Sequence, residues 1–257
     1  MRFRFLAPVG AVLGLALAAL VAASPPAGAG TPPLDVLYVG NSLIGTHTAA
    51  THEDTPALVR NLAAEAGRRI RTVAVIHYGS TLQKTWDRGE VRAAVNGSRK
   101  YDFVVLQEYS TLVATDLPRV SRTLLRVYAP AIRRVLKPGG RVVLFQNWAL
   151  ANPVPFATRA ANVAAIEANY KTLAKRLPLP TVLAPIGDEF EQVFTARGLS
   201  ALIIPDGKHP NDAALYLEAV TLYGILFRES PRHLPDLFVP PATAGWLRDV
   251  AATRLGY

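Results

Sequence analysis

Two short polar motifs lie far apart in the chain, and together they hold the residue types of a serine nucleophile, its base and its acid. Gly-Asn-Ser occupies 40–42 near the start, and Asp-Gly-Lys-His occupies 206–209 near the end. A serine hydroxyl becomes a good nucleophile when a histidine takes its proton. The histidine in turn needs a carboxylate that orients it and stabilises its cation. Ser42, Asp206 and His209 are therefore a candidate triad for acyl transfer, with His209 as base.

Each motif also has an ordinary structural explanation. Asn41 and Ser42 could simply cap a helix that follows them, and Asp206 could bond its own backbone in a turn. The surroundings of Ser42 do not match the Gly-x-Ser-x-Gly elbow, because Ile44 stands where the second glycine would be. An ordinary α/β-hydrolase is therefore disfavoured, and the elements around the motifs must decide between these interpretations.

Five apolar runs alternate with segments of helical period, which predicts a parallel sheet covered by helices on both faces. The runs predicted as strands are Leu34–Val39, Thr72–His77, Phe103–Gln107, Val142–Gln146 and Thr181–Pro185. The segments predicted as helices are Ala57–Ala66, Arg119–Leu136, Ala157–Leu177, Pro210–Phe227 and Ala242–Leu255. The fold class is α/β, and we expect one domain over residues 30–257.

Polar residues follow four of the predicted strands. The segments that directly follow these strands, called strand exits below, are 40–42, 78–81, 107–110 and 147–148. In open parallel sheets, ligand sites gather outside the carboxyl ends of the strands. The four exits are therefore expected to converge, and the 206–209 motif could fold over the same edge.

The motifs resemble those of the SGNH hydrolases, also called the GDSL esterase/lipase superfamily. The resemblance implies a flavodoxin-like, three-layer α/β/α fold with a central parallel sheet. The first block of that family, Gly-Asp-Ser, is similar to 40–42, which implies that Ser42 is the nucleophile. The glycine of the second block is matched by Gly79, whose N–H would form the oxyanion hole with that of Ser42. The last block, Asp-x-x-His, is matched by Asp206 and His209.

Two blocks depart from the family pattern. Asn41 replaces the aspartate of the first block, a position that does not supply the nucleophile. The third block, Gly-x-Asn-Asp, is missing, and Leu-Gln-Glu-Tyr-Ser stands at 106–110 instead, which looks like a variant branch. Gln107 carries the same amide donor as the missing asparagine, so we predict that it is the third oxyanion donor.

Four residues near the strand exits are candidates for substrate binding: Asn41, Glu108, Tyr109 and Trp148. Aromatic rings at such positions could stack on a sugar or could pack in the core or rim. The resemblance implies hydrolysis of a small ester or an acetylated glycan, so the expected partner is a small-molecule or polysaccharide ester. Transfer of the acyl group to a sugar, and a non-catalytic glycan-binding protein on the same fold, stay open as alternatives.

The N-terminus predicts a cleaved export signal over residues 1–29, and hence a secreted or extracytoplasmic protein. Arg2 and Arg4 precede an apolar run at 11–21, and Ala-Gly-Ala at 27–29 fits a cleavage site. A cut after Ala23 and an uncleaved anchor are the alternatives, although the apolar run is short for a span of about 20 residues.

Composition excludes several classes of site. The chain has no cysteine, so disulfides, thiolate metal sites and cysteine nucleophiles are excluded. The net charge is +9, but the basic residues are scattered, and no nucleic-acid motif is present. The polar cluster at 47–54 does not match a metal-binding spacing. We therefore predict no metal, no cofactor and no nucleic-acid partner.

Overall fold

A five-stranded parallel sheet runs through residues 32–257, the part of the chain that the computed structural model describes. The predicted export signal lies outside these residues. The strands are β1 (Leu34–Gly40), β2 (Ile70–Ile76), β3 (Tyr101–Leu106), β4 (Leu136–Phe145) and β5 (Thr181–Ala184). Their order is β2-β1-β3-β4-β5, and every neighbouring pair is parallel. The second strand along the chain lies on one side of β1, and β3 to β5 lie on the other side. Such a change in the order of the strands creates a crevice at their carboxyl ends, so a ligand site is expected at the carboxyl end of β1.

Helices cover both faces of the sheet. Those before β4 are α1 (Ser42–Gly45), α2 (Thr55–Glu65), α3 (Leu82–Arg88), α4 (Glu90–Asn96), α5 (Leu112–Thr115), α6 (Leu117–Arg122) and α7 (Ala129–Val135). Those after β4 are α8 (Arg159–Arg176), α9 (Ile186–Arg197), α10 (Asp212–Phe227) and α11 (Pro241–Leu255). The predicted three-layer α/β/α fold is confirmed. No helix within residues 32–257 combines the length and apolarity needed to cross a bilayer.

The central strand β1 shows why the two helical layers form. Val36 and Tyr38 pack into a core shared with α2, α9, α10 and α11. Leu37 and Val39 point the other way, into a core shared with α3, α4, α7 and α8. Successive side chains of a strand alternate between faces, so an almost continuous apolar run supplies both cores at once.

The boundaries of two predicted elements change in the structure. The helix predicted over Arg119–Leu136 consists of α6, a π-helical turn at Thr123–Tyr128 and α7. Pro130 is the second residue after this turn and has no N–H to donate to the carbonyl of Arg126, which favours a local change in the helical hydrogen bonding. The same helix ends at Val135, and β4 begins at Leu136, six residues earlier than predicted.

A cluster of charged side chains joins the amino ends of the strands, at the edge of the sheet opposite to Ser42. The Asp35 side chain is 3% exposed, and its Oδ2 accepts hydrogen bonds from Arg71 (2.6 Å) and Lys137 (2.7 Å). Lys137 also donates to Asp102, at 2.7 Å. Burial alone would raise the pKa of Asp35, but the bonds from Arg71 and Lys137 outweigh it and lower that pKa below its ordinary value of 3.8.

Asp35→Asn is expected to lower the free energy of unfolding by about 2 to 3 kcal/mol, because it removes the buried charge that Arg71 and Lys137 share and leaves Lys137 with Asp102 alone. The folded state holds Asp35 ionised more strongly than the unfolded chain does. This contribution is therefore complete above about pH 4 and is lost as the pH falls through the lowered pKa. Urea unfolding at pH 7 and pH 3 measures both effects. The control is Asp249→Asn, which removes a surface pair with Arg232 and should change stability by less than about 0.5 kcal/mol. Equal effects of the two variants at pH 7 would contradict the prediction.

Candidate active site

Ser42 is the first residue of α1, immediately after β1. Asn41 caps the helix: its Oδ1 accepts from the N–H of Leu43 at 3.2 Å, and its Nδ2 donates to the Ser80 carbonyl at 3.1 Å. Gly40 permits this tight turn, because a Cβ there would lie 2.6 Å from Ile44 Cγ2. Asn41 therefore caps the helix, and Ser42 Oγ is left free to contact other groups although Ser42 is only 5% exposed.

Asn41 was also a candidate for substrate binding, and this prediction is wrong. The residue is 2% exposed, and both ends of its amide are bonded within the turn. It has almost no free surface to offer a ligand.

The loop that carries Asp206 and His209 is a narrow hairpin before α10. Ile203 and Pro210 form an antiparallel bridge at its base, and the N–H of Ile204 donates to the His209 carbonyl at 3.0 Å. This closure places the Asp206 and His209 side chains together, although the sequence alone fixes only their spacing.

The three predicted triad residues lie in one continuous chain of contacts. His209 Nε2 is 2.9 Å from Ser42 Oγ, and His209 Nδ1 is 2.5 Å from Asp206 Oδ2. Asp206 Oδ1 accepts the backbone N–H groups of Lys208 and His209, each at 2.9 Å. Partial burial would raise the pKa of Asp206, but the bonds from the His209 side chain and from these two N–H groups outweigh it and lower the pKa. The carboxylate is therefore ionised at neutral pH and contacts the Nδ1 side of the His209 ring.

Two backbone N–H groups are available as oxyanion donors. The N–H groups of Ser42 and Gly79 have no hydrogen-bond acceptor among residues 32–257. Gly79 has a φ of 68°, a conformation that glycine adopts without strain. The carbonyl of its neighbour Ser80 is held by Asn41, so the loop of Gly79 is tied to the turn of Ser42.

Gln107, the predicted third oxyanion donor, is used elsewhere. Its side chain is fully buried: Oε1 accepts the N–H of Asn41 at 2.8 Å, while Nε2 donates to Asn147 Oδ1 at 3.0 Å and to the Glu108 carbonyl. Both amide hydrogens are thus engaged, and the prediction that Gln107 donates to the oxyanion is wrong. Gln107 braces the turn that carries Ser42.

Glu108 braces the neighbouring loop. Its Oε1 accepts the N–H of Leu82 at 3.0 Å and that of Tyr109 at 2.6 Å. The residue is 4% exposed, and burial raises the pKa of its carboxyl group above the ordinary value despite these bonds. The contacts of Glu108 fix the chain that follows Gly79, which corrects its prediction as a substrate-binding residue.

Trp148 is buried and does not offer its ring to a sugar. It is 1% exposed and stacks on Phe190 with the ring centroids 4.3 Å apart. Its Nε1–H donates to the Lys208 carbonyl at 3.1 Å, and the N–H of nearby Ala151 donates to the Gly207 carbonyl at 2.9 Å. The prediction of substrate binding is therefore wrong, and the segment after β4 instead holds the loop between Asp206 and His209.

Trp148→Phe is expected to lower the kcat of the candidate triad by about ten-fold with little change in KM, because the 206–209 hairpin loses a hydrogen bond and shifts relative to Ser42. A purely structural role would lower the fraction of folded protein and leave the kcat of the folded molecules unchanged. Kinetics normalised to folded protein, measured by circular dichroism, separate the two. Trp246→Phe is the control, since Trp246 lies on α11 against Arg197. A normal kcat in Trp148→Phe would contradict the prediction.

Tyr109 stays a prediction as a substrate-binding residue. It is half-buried, and the Lys208 ammonium lies 5.3 Å from the centroid of its ring. Lys208 was missed in the sequence, where it is only a residue between Asp206 and His209. No sequence signal could have placed it against Tyr109, because the contact joins two loops that are remote along the chain.

Comparisons with solved structures identify the fold. A DUF4886 family protein from Bacteroides uniformis superposes with a TM-score of 0.72 at 15% identity, covering 88% of this chain and 96% of that one. A candidate SGNH hydrolase from Slackia heliotrinireducens gives a TM-score of 0.57 at 22% identity, with 75% and 98% of the two chains covered. The acetylxylan esterase Axe2 from Geobacillus stearothermophilus gives 0.51 at 18% identity, with 74% and 93% covered.

The chain has the SGNH-hydrolase fold. No protein-family model matches its sequence, and no curated protein does. At these identities the likeness concerns the fold, so an activity must be argued from the residues of the site. In this SGNH fold, Ser42, Gly79 and the 206–209 hairpin meet at the carboxyl ends of β1 and β2.

Proposed function

We propose that the protein is an exported serine esterase that removes the acyl group from a small ester or an acetylated glycan. The observation that carries this proposal is the contact chain Asp206–His209–Ser42, at 2.5 and 2.9 Å. These distances are those of hydrogen bonds through which a histidine can take a proton from serine. The SGNH fold of known esterases supports the same reading.

In the first half of the reaction, Ser42 Oγ attacks the ester carbonyl while His209 Nε2 takes its proton. Asp206 accepts the Nδ1–H of His209 and stabilises the imidazolium that forms. The tetrahedral oxyanion is stabilised by the N–H groups of Ser42 and Gly79. His209 then gives the proton to the leaving alcohol, and an acyl-serine remains.

In the second half, water replaces the alcohol. His209 takes a proton from water, the hydroxide attacks the acyl carbonyl, and Ser42 leaves with the proton returned by His209. If a sugar hydroxyl took the place of water, the same acyl-serine would give acyl transfer. No contact of the described residues favours that acceptor, so hydrolysis is the proposed reaction.

The oxyanion hole of this proposal has two backbone donors and no side-chain amide. Removal of one donor typically lowers kcat by about 10² to 10³. We therefore expect a slower enzyme than one with three donors, yet one that still turns over activated esters. A non-catalytic glycan-binding protein is less well supported, because Trp148 is unavailable as a sugar platform.

The test is turnover and covalent labelling of the purified protein. We expect hydrolysis of p-nitrophenyl acetate, release of acetate from acetylated xylan if the glycan is the substrate, and labelling of Ser42 by a fluorophosphonate. Peptide mass spectrometry locates the label. Absence of both turnover and label would reject the esterase, and glycan binding would then be measured. N-terminal sequencing of protein recovered from the medium tests export, with Gly30 as the expected first residue.

A further inference from the structure

An apolar cavity of about 590 Å³ lies beside the candidate triad and plays no part in the mechanism described above. Its walls include Thr46, His47, Ile204, Pro210, Phe238 and Thr243. The volume falls within the range of small-molecule sites, about 300 to 1,000 Å³. Ile204 is 39% exposed at its rim, which few large aliphatic side chains within residues 32–257 are.

Three parts of the candidate active site border this cavity. Thr46 donates to the Ser42 carbonyl through its N–H at 2.9 Å and its hydroxyl at 2.6 Å. Pro210 follows His209 directly, and Ile204 is hydrogen-bonded to the His209 carbonyl. His47 Nδ1 lies 3.3 Å from the hydroxyl of Tyr78, the residue before Gly79. Ser42, His209 and the loop of Gly79 are thus each joined to a wall residue of the cavity, either by a hydrogen bond or as the next residue in the chain.

Hydrogen bonds within the chain hold one wall of the cavity in place. The Asp212 carboxylate accepts the N–H of Ala49 at 2.8 Å and that of Ala50 at 3.1 Å, which fixes the 46–50 segment against α10. In the opposite wall, Leu237 has a φ of 52° directly before Phe238. A left-handed conformation at leucine persists only where the surroundings impose it, and such residues are enriched at ligand sites.

We propose that this cavity binds an apolar chain of the ester, so that the natural substrate carries a chain longer than acetyl. The inference rests on the proposed esterase function and, of the two substrates proposed there, favours the small ester over the acetylated glycan. The chain can belong to the acyl group or to the alcohol, because the lining residues of the cavity do not distinguish them. Burial of one methylene contributes about a four-fold gain in affinity or in kcat/KM.

Chain-length series test the inference. The acyl series is p-nitrophenyl acetate, butyrate and hexanoate, and the alcohol series is ethyl, butyl and hexyl acetate. We expect kcat/KM to rise at least ten-fold from the shortest to the longest member of one series. That series identifies whether the acyl or the alcohol side enters the cavity.

Thr243→Trp fills the cavity from α11 and should abolish the rise, so that the longest ester of the series is hydrolysed no faster than the shortest. Ala213→Phe fills it from α10 and guards against misfolding of the first variant. Ala242→Trp adds the same bulk at an exposed neighbouring position and should preserve the rise. A flat series in the wild type, or a rise that survives both filling variants, overturns the inference.

A binding measurement tests the cavity proposal independently of the proposed esterase function. If no ester is hydrolysed, the proposed function fails and calorimetric titration with octanoate and 1-octanol decides on the cavity alone. Binding by the wild type that is lost in Thr243→Trp and kept in Ala242→Trp supports the cavity. Absence of binding by the wild type overturns it.

Discussion

Ser42→Ala is expected to lower kcat for p-nitrophenyl acetate by about 10⁴-fold or more, since removal of a triad nucleophile typically costs about 10⁶ on slower substrates. Ser42 is 5% exposed. Removal of its hydroxyl leaves the helix cap by Asn41 intact, so the fold should be unchanged. The loss is therefore chemical: no acyl-serine can form. Initial rates at saturating ester, corrected for spontaneous hydrolysis, measure it.

The triad also predicts that losses are not additive. His209→Ala should lower kcat nearly as much as Ser42→Ala, and the double variant should be no slower than either single variant. Ser42 and His209 act as one unit, so the loss of either residue already removes the contribution of both. Ser200→Ala, the same substitution at an exposed serine, is the control and should keep the wild-type rate. A Ser42→Ala enzyme within ten-fold of wild type would place the chemistry elsewhere.

The sequence predicts the parts of this site that depend on the backbone. Apolar runs specify the strands, and the carboxyl ends of parallel strands share an edge, so Ser42 and Gly79 were placed together by topology. The spacing of Asp206 and His209 indicates that they can touch each other. That this pair reaches Ser42 depends on the bridge between Ile203 and Pro210, which no local pattern predicts.

The errors concern side chains whose partners are remote. Gln107 and Trp148 have residue types suited to oxyanion or sugar binding, and both follow strands at the correct edge. Gln107 is instead bonded to Asn41 and Asn147, and Trp148 to Lys208 and Phe190. Residue type and strand position predict which edge a side chain occupies, but burial depends on what the other loops place over it.

Four helices were missed, namely α3, α4, α5 and α9, and α5 has only four residues. α3 and α4 have seven residues each, about two turns, which is too short for an i, i+3, i+4 pattern to repeat. α9 is longer, but it begins with Ile-Gly-Asp-Glu, and Gly187 lowers helix propensity in the first turn. Gly187 is needed there because a Cβ would lie 2.3 Å from the Asn147 carbonyl oxygen.

Asp206→Asn is expected to lower kcat by about 10³ to 10⁴, as is typical when the acid of a triad is changed to its amide. Wild-type Asp206 Oδ1 accepts two backbone N–H groups, and an asparagine Oδ1 can keep both bonds. Its Nδ2 then faces His209 Nδ1 and donates to it. This places the imidazole proton on Nε2, which would donate to Ser42 Oγ where the mechanism needs an acceptor.

This tautomer argument makes Asp206→Asn at least as damaging as Asp206→Ala, although asparagine is the closer match in shape. The lowered pKa keeps wild-type Asp206 ionised from pH 5 to 8, so protonation of Asp206 does not change the comparison over that range. Asp116→Asn is the control, because Asp116 caps α6 and asparagine caps a helix equally well. Steady-state rates at pH 5, 6, 7 and 8 test the order. An alanine variant slower than the asparagine variant would mean that Asp206 acts chiefly by holding the 206–209 hairpin and not by setting the tautomer of His209.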